Sequence, residues 1–551
     1  MNDVAEGFNN FFVNVGPELA RQIKPSQGGD VFQNLGERIP DTIFLRDTDR
    51  NEIINIVNKF KNKTSKDWNG IDMMVIKKVI IAIADPLTYI CNLSFKSGTL
   101  PCKMKTAKVI PLYKAGDKHL FTNYRPVSLL SQFSKILEKI FVIRLDSFIE
   151  KHQLLMDCQY GFRTNRSTSM ALMELVEELT SSIDNKKYAV GIFIDLKKAF
   201  DTIDHGILLH KLERMGIRGV GYNWLSSYIG NRQQFVQMGE YRSTSLDITC
   251  GVPQGSILGP KLFTLYINDI CKVSSIVKLV VFADDTNIFC SGENLQQLLD
   301  AVSAEMCKLK LWFDTNKLSL NLRKTKFIVF GKSKIDLNAQ VEVTIDGVGL
   351  ERVFENPFLG VIVDHSFSWK PHIKYVRSKL ARSIGVLSKA RLILNQKSLF
   401  MLYCTLILPY LTYCVEVWGN TYKSNLQTLC LMQKRAIRIV SNVGYRDHTN
   451  ELFLNLQALK LTDIVEFKTA QIMYKASNNL LPGNIQKMFR EREGGDDLRG
   501  KFKFKQPAVY TTLKSMCISV CGVKLWNSLS EFIKESKNVR LFKTQLKHFL
   551  F

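Results

Sequence analysis

VKLVVFADDTNIFC, residues 277–290, sets two adjacent carboxylates, Asp284 and Asp285, between two short apolar runs. Runs of this length and β-branched content read as buried strands, and the acidic pair reads as the tip of the hairpin joining them. Two like charges at the end of a core hairpin are costly unless a cation sits with them. Magnesium suits the place, because hard carboxylate oxygens hold it and phosphates complete its shell. The alternative is an ordinary Asp-rich turn, and so short a motif does not decide between the two.

A second acidic strand end lies upstream. YAVGIFID, residues 188–195, is again an apolar run ending on a carboxylate, Asp195, and it continues as LKKAFDTIDH. A third carboxylate from a separate strand is what a two-metal phosphoryl-transfer site needs. Asp201 and Asp204 lie past that strand end, where capping or helix-start roles suit them. His205 is read as structural.

Composition points the same way. The chain has 551 residues and a formal net charge of +24, which suits a polyanionic partner and binding that weakens with salt. This length predicts more than one domain, and the 46% hydrophobic fraction is that of a globular protein. The 12 cysteines are scattered without a Cys-x-x-Cys pair, which reads as free thiols in a reducing compartment. Polar and acidic residues follow Met1, unlike a secretory signal. The apolar stretch 399–415 contains Pro409 and is short for a membrane span, so a buried helix pair broken at Pro409 is expected.

Further motifs fall in order around the acidic strands. They are KVIPLYKAGD at 108–117, NYRPVSLL at 123–130, QYGFRTNRST at 159–168, DLKKAFDTIDH at 195–205 and GVPQGSILGP at 251–260. FADD follows at 282–285, NKLSLN at 316–321 with KTK at 324–326, and FLGVIVD at 358–364. Together they resemble the reverse transcriptase of LINE-type (non-LTR) retrotransposons, near the jockey-like and related branches. The densest likeness runs from about 93 to 364.

That resemblance implies an α+β fold of the right-hand polymerase type, with fingers, a palm built on an antiparallel sheet, a thumb and a helical C-terminal region. The implied layout is an N-terminal helical extension (1–92), fingers and palm (93–365), a helical thumb-like region (366–479) and a C-terminal tail (480–551). Loops are expected at 24–30 and 490–500 from their Gly and Pro or their charge and Gly. The residues 297–316 have helical apolar spacing, with Leu298, Val302, Met306, Leu309 and Phe313 on one face.

The implied chemistry is RNA-directed DNA synthesis, with two magnesium ions (manganese as an alternative) held by Asp195, Asp284 and Asp285. Phe200 takes the steric-gate position, where a ring crowds a ribose 2′-hydroxyl. Gly251, Gln254 and Gly255 form a turn that approaches the nucleotide. Lys114, Arg125, Arg163 and Arg166 are candidates for the triphosphate. Lys324 or Lys326 is a candidate proton donor to pyrophosphate, and Phe358, Leu359 and Gly360 correspond to a primer grip. The implied partners are an RNA template, a DNA primer or target DNA and deoxynucleoside triphosphates, without stable membrane association. The resemblance places such a protein in cytoplasm and nucleus. Family members usually carry an endonuclease upstream, for which the sequence before the core is too short, so a truncated copy, a predicted fragment or an open reading frame that starts late is expected. Other readings of the sequence are a catalytically silent nucleic-acid-binding remnant, a fragment ordered only with a missing partner, and an intron-type maturase.

Overall fold

The computed structural model describes residues 2–23, 35–331, 342–491 and 504–551. The two loops expected at 24–30 and 490–500 fall wholly or largely outside them. Helix and sheet are mixed, and the chain divides into two compact units made of interleaved segments. The first comprises Met1–Phe162, Asp195–Ser275 and Glu305–Asn321, and the second Arg163–Ile194, Ile276–Ala304 and Leu322–Phe551.

The first unit is organised around a five-stranded sheet. Thr106–Tyr113 pairs antiparallel with Tyr124–Leu130 and parallel with Arg232–Met238, which also carries Tyr241–Arg242 and Leu246–Ile248. The N-terminal helix, Asn2–Gln22, packs Phe8 and Phe12 against Val109 and Val236 of that sheet. Asn9 fixes its height, donating to the Thr244 carbonyl at 2.8 Å and accepting from Gln234 Nε2 at 3.1 Å. The helix Gln132–Lys151 is wrapped on several sides, with Ile136, Leu137, Ile140, Phe141 and Leu145 fully buried. Phe141 stacks on Trp224 with ring centroids 4.3 Å apart, an anchor worth about 1 kcal/mol beyond its area.

One expectation about cysteine is corrected in this unit. Cys158 and Cys271 are paired as a disulfide, and the other ten cysteines are thiols. The reason is tertiary. Asn268 accepts from the Met156 N–H at 2.9 Å and donates to the Leu154 carbonyl at 2.8 Å, which fastens the segment before Cys158 to the turn before Cys271. A separation of 113 residues hides that juxtaposition from the sequence.

The second unit holds the strands read first. Its sheet runs in the order Glu351–Arg352, Lys326–Phe330, Tyr188–Ile194, Asp285–Gly292, Lys278–Phe282. Four strands pair antiparallel, as expected, but the edge pair Glu351–Arg352 runs parallel to Lys326–Phe330. Tyr188–Ile194 is the central strand, buried at every position after Tyr188, and this is why it reads as a continuous apolar run. Beyond the sheet the unit is helical, from Lys370–Ala390 through Leu461–Ser477 to Val539–Phe549. The apolar stretch near 400 forms two helices, Gln396–Leu406 and Leu408–Thr412, with Pro409 in the first turn of the second, where its missing N–H costs nothing. Among the described residues no helix is long and apolar enough to cross a membrane. The helix Leu295–Thr315, whose residues from Glu305 on belong to the first unit, buries Leu298, Val302, Met306, Leu309 and Phe313, as its spacing predicts.

Candidate active site

Sheet register decides where the acidic strand ends fall. In the central antiparallel pair Ile194 stands opposite Thr286. Asp195 is the residue after Ile194, and Asp284 and Asp285 are the two before Thr286. The hairpin itself closes with Phe282 opposite Asp285, so its tip is Ala283-Asp284 and Asp285 already belongs to the returning strand. Ala283 has φ 57°, a conformation that favours glycine and costs an L-residue roughly 1–2 kcal/mol. Asp284 and Asp285 are exposed.

Asp195 is held by the segment that ends the first unit. Leu196 bridges Leu320, the Asn321 N–H donates to the Asp195 carbonyl at 2.9 Å, and Asn321 Nδ2 donates to Asp195 Oδ2 at 2.8 Å. This arrangement fixes the carboxylate's rotamer. Asn321 lies inside a motif singled out by sequence, but only the structure gives it this role.

Past Asp195 the chain turns through a short 3-10 segment, Ala199–Asp201, and the turn at 250–255 is stitched to it. The Phe200 carbonyl accepts from Val252 N–H at 2.9 Å, the Ile203 carbonyl from Gly251 N–H at 2.8 Å, and Gln254 Nε2 donates to Asp201 Oδ1 at 2.8 Å. The backbone approach is close enough to need glycine. Gly251 (φ 80°) would put a Cβ 2.8 Å from the Asp201 carbonyl, and Gly255 (φ 134°) one 2.5 Å from that of Ser128. Glu138, fully buried, accepts from Ile257 N–H at 2.7 Å and Leu258 N–H at 3.2 Å and so anchors the far side of the turn. Burial pushes the Glu138 carboxyl above its ordinary range despite these bonds.

The Phe200 ring is half-buried and lies 4.6 Å from that of Phe263. Asp204 caps the helix His205–Arg214 by accepting from Ile207 N–H at 2.9 Å, as expected, and pairs with Lys317 at 2.6 Å. Asp201 does not cap, which corrects its expected role. Its Oδ1 takes the Gln254 amide and its Oδ2 has no hydrogen-bond partner among the described residues. Burial pushes its carboxyl up to about 6, while the Gln254 bond and Lys198 pull the other way. His205 is structural, its Nε2 2.8 Å from the Gly251 carbonyl.

The candidate phosphate ligands fall in different units. Arg125 lies on the strand Tyr124–Leu130 of the first unit and Lys114 just past the end of its partner strand, where Tyr113 stands opposite Tyr124, and both are exposed. Arg163 and Arg166 belong to the second, in the segment before the helix Thr168–Asp184, whose N-terminus Ser167 caps. Lys324 is exposed, and Lys326 pairs with Glu351 at 3.3 Å.

At the grip motif, Glu355–Phe358 and Val361–Asp364 form a hairpin whose two turn residues, Leu359 (φ 46°) and Gly360 (φ 80°), are both left-handed. Such turns match strand twist. Phe358 is buried with its ring 6.1 Å from Phe193, and Tyr413 Oη donates to the Leu359 carbonyl at 2.7 Å.

Among the described residues no group of three or more His, Cys, Asp and Glu side chains is gathered as a metal centre. Magnesium does not require one. It takes one or two carboxylates and completes its shell with water and substrate phosphate, and the donors at these strand ends are hard oxygens of that kind.

Comparison with known proteins points to the same family as the resemblance. Residues 113–375 match the family described as reverse transcriptase (RNA-dependent DNA polymerase). The chain is 26% identical over 426 residues to a probable RNA-directed DNA polymerase from transposon BS of Drosophila melanogaster, covering 74% of this chain and 46% of the relative. It is 25% identical over 425 residues to the RNA-directed DNA polymerase from mobile element jockey of the same species, covering 75% and 46%. It is also 27% identical over 398 residues to a Pol polyprotein from the type-1 retrotransposable element R1 of Bradysia coprophila, covering 70% and 38%. The chain thus spans about half the length, or less, of these curated relatives.

Proposed function

From the premise that residues 113–375 are a reverse transcriptase domain similar to those of non-LTR elements, we propose that this chain is an RNA-directed DNA polymerase. It extends a DNA primer on an RNA template, within a right-hand arrangement of fingers, palm and thumb. The observation that carries the reading is the register of Ile194 against Thr286, which brings the chain to Asp195 and from Asp285 at one end of a single strand pair.

In this reading Asp195, Asp284 and Asp285 would hold two magnesium ions, which when bound would supply charge neutralisation at the transferring phosphate and acidify the primer hydroxyl. Asn321 keeps the Asp195 carboxylate in its ligating rotamer. Phe200 closes the space a ribose 2′-hydroxyl would need, which selects deoxynucleotides. Gln254 and Gly255 present backbone and amide to the nascent pair, and Gln254 is held for this by Asp201. Lys114, Arg125, Arg163 and Arg166 take the triphosphate oxygens, and Lys324 supplies a proton to departing pyrophosphate. Phe358, Leu359 and Gly360 seat the primer terminus. The basic helices after Lys370 form the thumb that follows the duplex.

The test is primer extension on a defined RNA template with magnesium and labelled deoxynucleotides, beside an Asp284→Asn/Asp285→Asn variant. Extension by the parent and none by the variant is expected. A folded parent that binds the duplex but extends nothing would replace this reading with that of a catalytically silent binding remnant.

A further inference from the structure

The N-terminal helix, Asn2–Gln22, lies outside the residues that match the reverse transcriptase family, yet it ends against the nucleotide loop. Its anchoring is strong at one end. Phe8 and Phe12 are buried in the sheet core, and Asn9 and Glu6 bond the segment around Thr244, with Glu6 Oε2 accepting from Thr244 Oγ1 at 2.9 Å. A helix rises about 1.5 Å per residue along a fixed line, so this anchorage decides where Gly16 falls. Gly16 is buried, and a Cβ built on it would overlap the Asp201 carbonyl and stand 2.6 Å from Cys250 Sγ.

The Asp201 carbonyl is therefore enclosed. Gly16 covers one side, Gly251 approaches from another, and Cys250 Sγ–H donates to it at 3.3 Å. Beside it lies a cavity of about 30 Å³, lined by Phe12 and Val13 of the helix together with Asp201, Cys250 and Gln254. That is room for one water, and it is bordered by Asp201, whose buried Oδ2 has no hydrogen-bond partner among the described residues. The helix also touches the segment that orients Asp195, where Ser319 Oγ donates to the Leu19 carbonyl at 3.5 Å.

We infer that the N-terminal helix is a positioning element of the nucleotide site, acting through Gly16: its seat on the Asp201 peptide fixes the loop that carries Phe200 and Gln254. The inference rests on the polymerase reading above. It makes a prediction opposite to helix propensity. Alanine is the better helix former, so Gly16→Ala should be harmless or stabilising if the helix is only a surface cover. If Gly16 is a seat, the added Cβ lifts the helix from the loop.

The experiment compares Gly16→Ala and Gly16→Val with Asn14→Ala, a change at an exposed position of the same helix. Each is measured for thermal melting, for steady-state extension with varied deoxynucleotide, and for N-ethylmaleimide labelling of Cys250 resolved by peptide mass. For both Gly16 variants KM for the nucleotide should rise about tenfold while kcat changes less, because the loop is displaced and the metal ligands are not. Cys250 labelling should accelerate, and Asn14→Ala should match the parent in all three. Should Gly16→Val fail to fold, Gly16→Ala carries the test. Unchanged KM and unchanged labelling in an active, folded Gly16 variant would overturn the inference. A parent that extends no primer, with labelling still faster in the variants, would instead sink the polymerase reading and reduce the helix to a structural brace.

Discussion

Asp201 has a carboxyl pushed up to about 6 from an ordinary value of 3.8 by burial. A folded-state pKa above the unfolded one means that its contribution favours folding below the unfolded pKa and is lost as pH rises through the folded pKa. Asp201→Asn keeps an oxygen to accept from Gln254 and cannot ionise. Relative to the parent, this variant should therefore gain up to about 3 kcal/mol between pH 4 and pH 8. Urea midpoints of both proteins at those two pH values measure it, and a gap that does not change with pH would refute it. At the same scale Asn321 is held to orient Asp195 through a 2.8 Å bond. Asn321→Ala should cut kcat for primer extension about tenfold or more with little change in melting temperature, since a half-buried side chain is lost from no core. Equal kcat in parent and variant would remove Asn321 from the site. The acidic residues themselves were legible from sequence, because a carboxylate at the end of an apolar run is a conflict that points to function. Their hydrogen-bond partners were not, because Asn321 and Gln254 are ordinary polar residues until the fold brings them to Asp195 and Asp201.

Among elements, the hairpin of Glu355–Phe358 and Val361–Asp364 is braced by the helix that follows it. Asp364, buried, accepts from Ser366 Oγ at 2.7 Å, Ser368 N–H at 2.9 Å and Trp369 N–H at 2.9 Å, which stops the strand and starts the helix Lys370–Ala390. His372 on that helix accepts the Ile362 N–H at its Nδ1, 3.3 Å away. Burial depresses its imidazole to about 4 from an ordinary 6.5, so it is held neutral. Here the unfolded chain takes the proton first. The contribution to stability is complete above pH 6.5 and is lost as pH falls toward 4, by up to about 3 kcal/mol. His372→Asn places a non-titrating oxygen near the same acceptor position and should flatten this acid limb. Denaturant midpoints at pH 7 and pH 4.5 decide the matter, since identical acid losses in parent and variant would assign the limb to other groups. Elements of this kind were partly readable. The helical character after 366 was expected, but no strand was read at 361–364, and the bond between the two depends on a histidine with nothing in its sequence neighbourhood to mark it.

Across the whole molecule the formal charge of +24 sets the response to salt. If the chain neutralises about 6 phosphates of a template–primer duplex, affinity should fall about 10³-fold between 50 and 200 mM salt, and a flat titration would remove the polyanion from the account. The same scale explains what the sequence concealed. The two compact units are built from interleaved segments, and long-range pairings such as Cys158 with Cys271 leave no local periodicity to detect. The C-terminal tail is the clearest case, because no role could be read from it. In the second unit it docks on the helix Thr168–Asp184. Lys514 pairs with Glu177, Ser519 Oγ donates to Glu177 at 2.6 Å, and Asp184 accepts from Thr511 N–H and Oγ1, both at 2.7 Å. Farther on, Phe542 stacks on Tyr474 at 4.4 Å, and Tyr474 Oη donates to the Ser536 carbonyl at 2.6 Å. Val520, Val523, Trp526, Phe542 and Leu546 are all buried. Each such side chain contributes roughly 1.5–3 kcal/mol, so together they are comparable with the whole stability of a domain, about 5–15 kcal/mol. Ending the chain at 504 should therefore do more than trim a tail. The helices Thr168–Asp184 and Leu461–Ser477 would lose an apolar cover, and the truncated protein should aggregate on size exclusion or lose its cooperative melt. A truncated chain that stays monodisperse and melts within a few degrees of the parent would mean that the tail is an accessory, held by a fold that is complete without it.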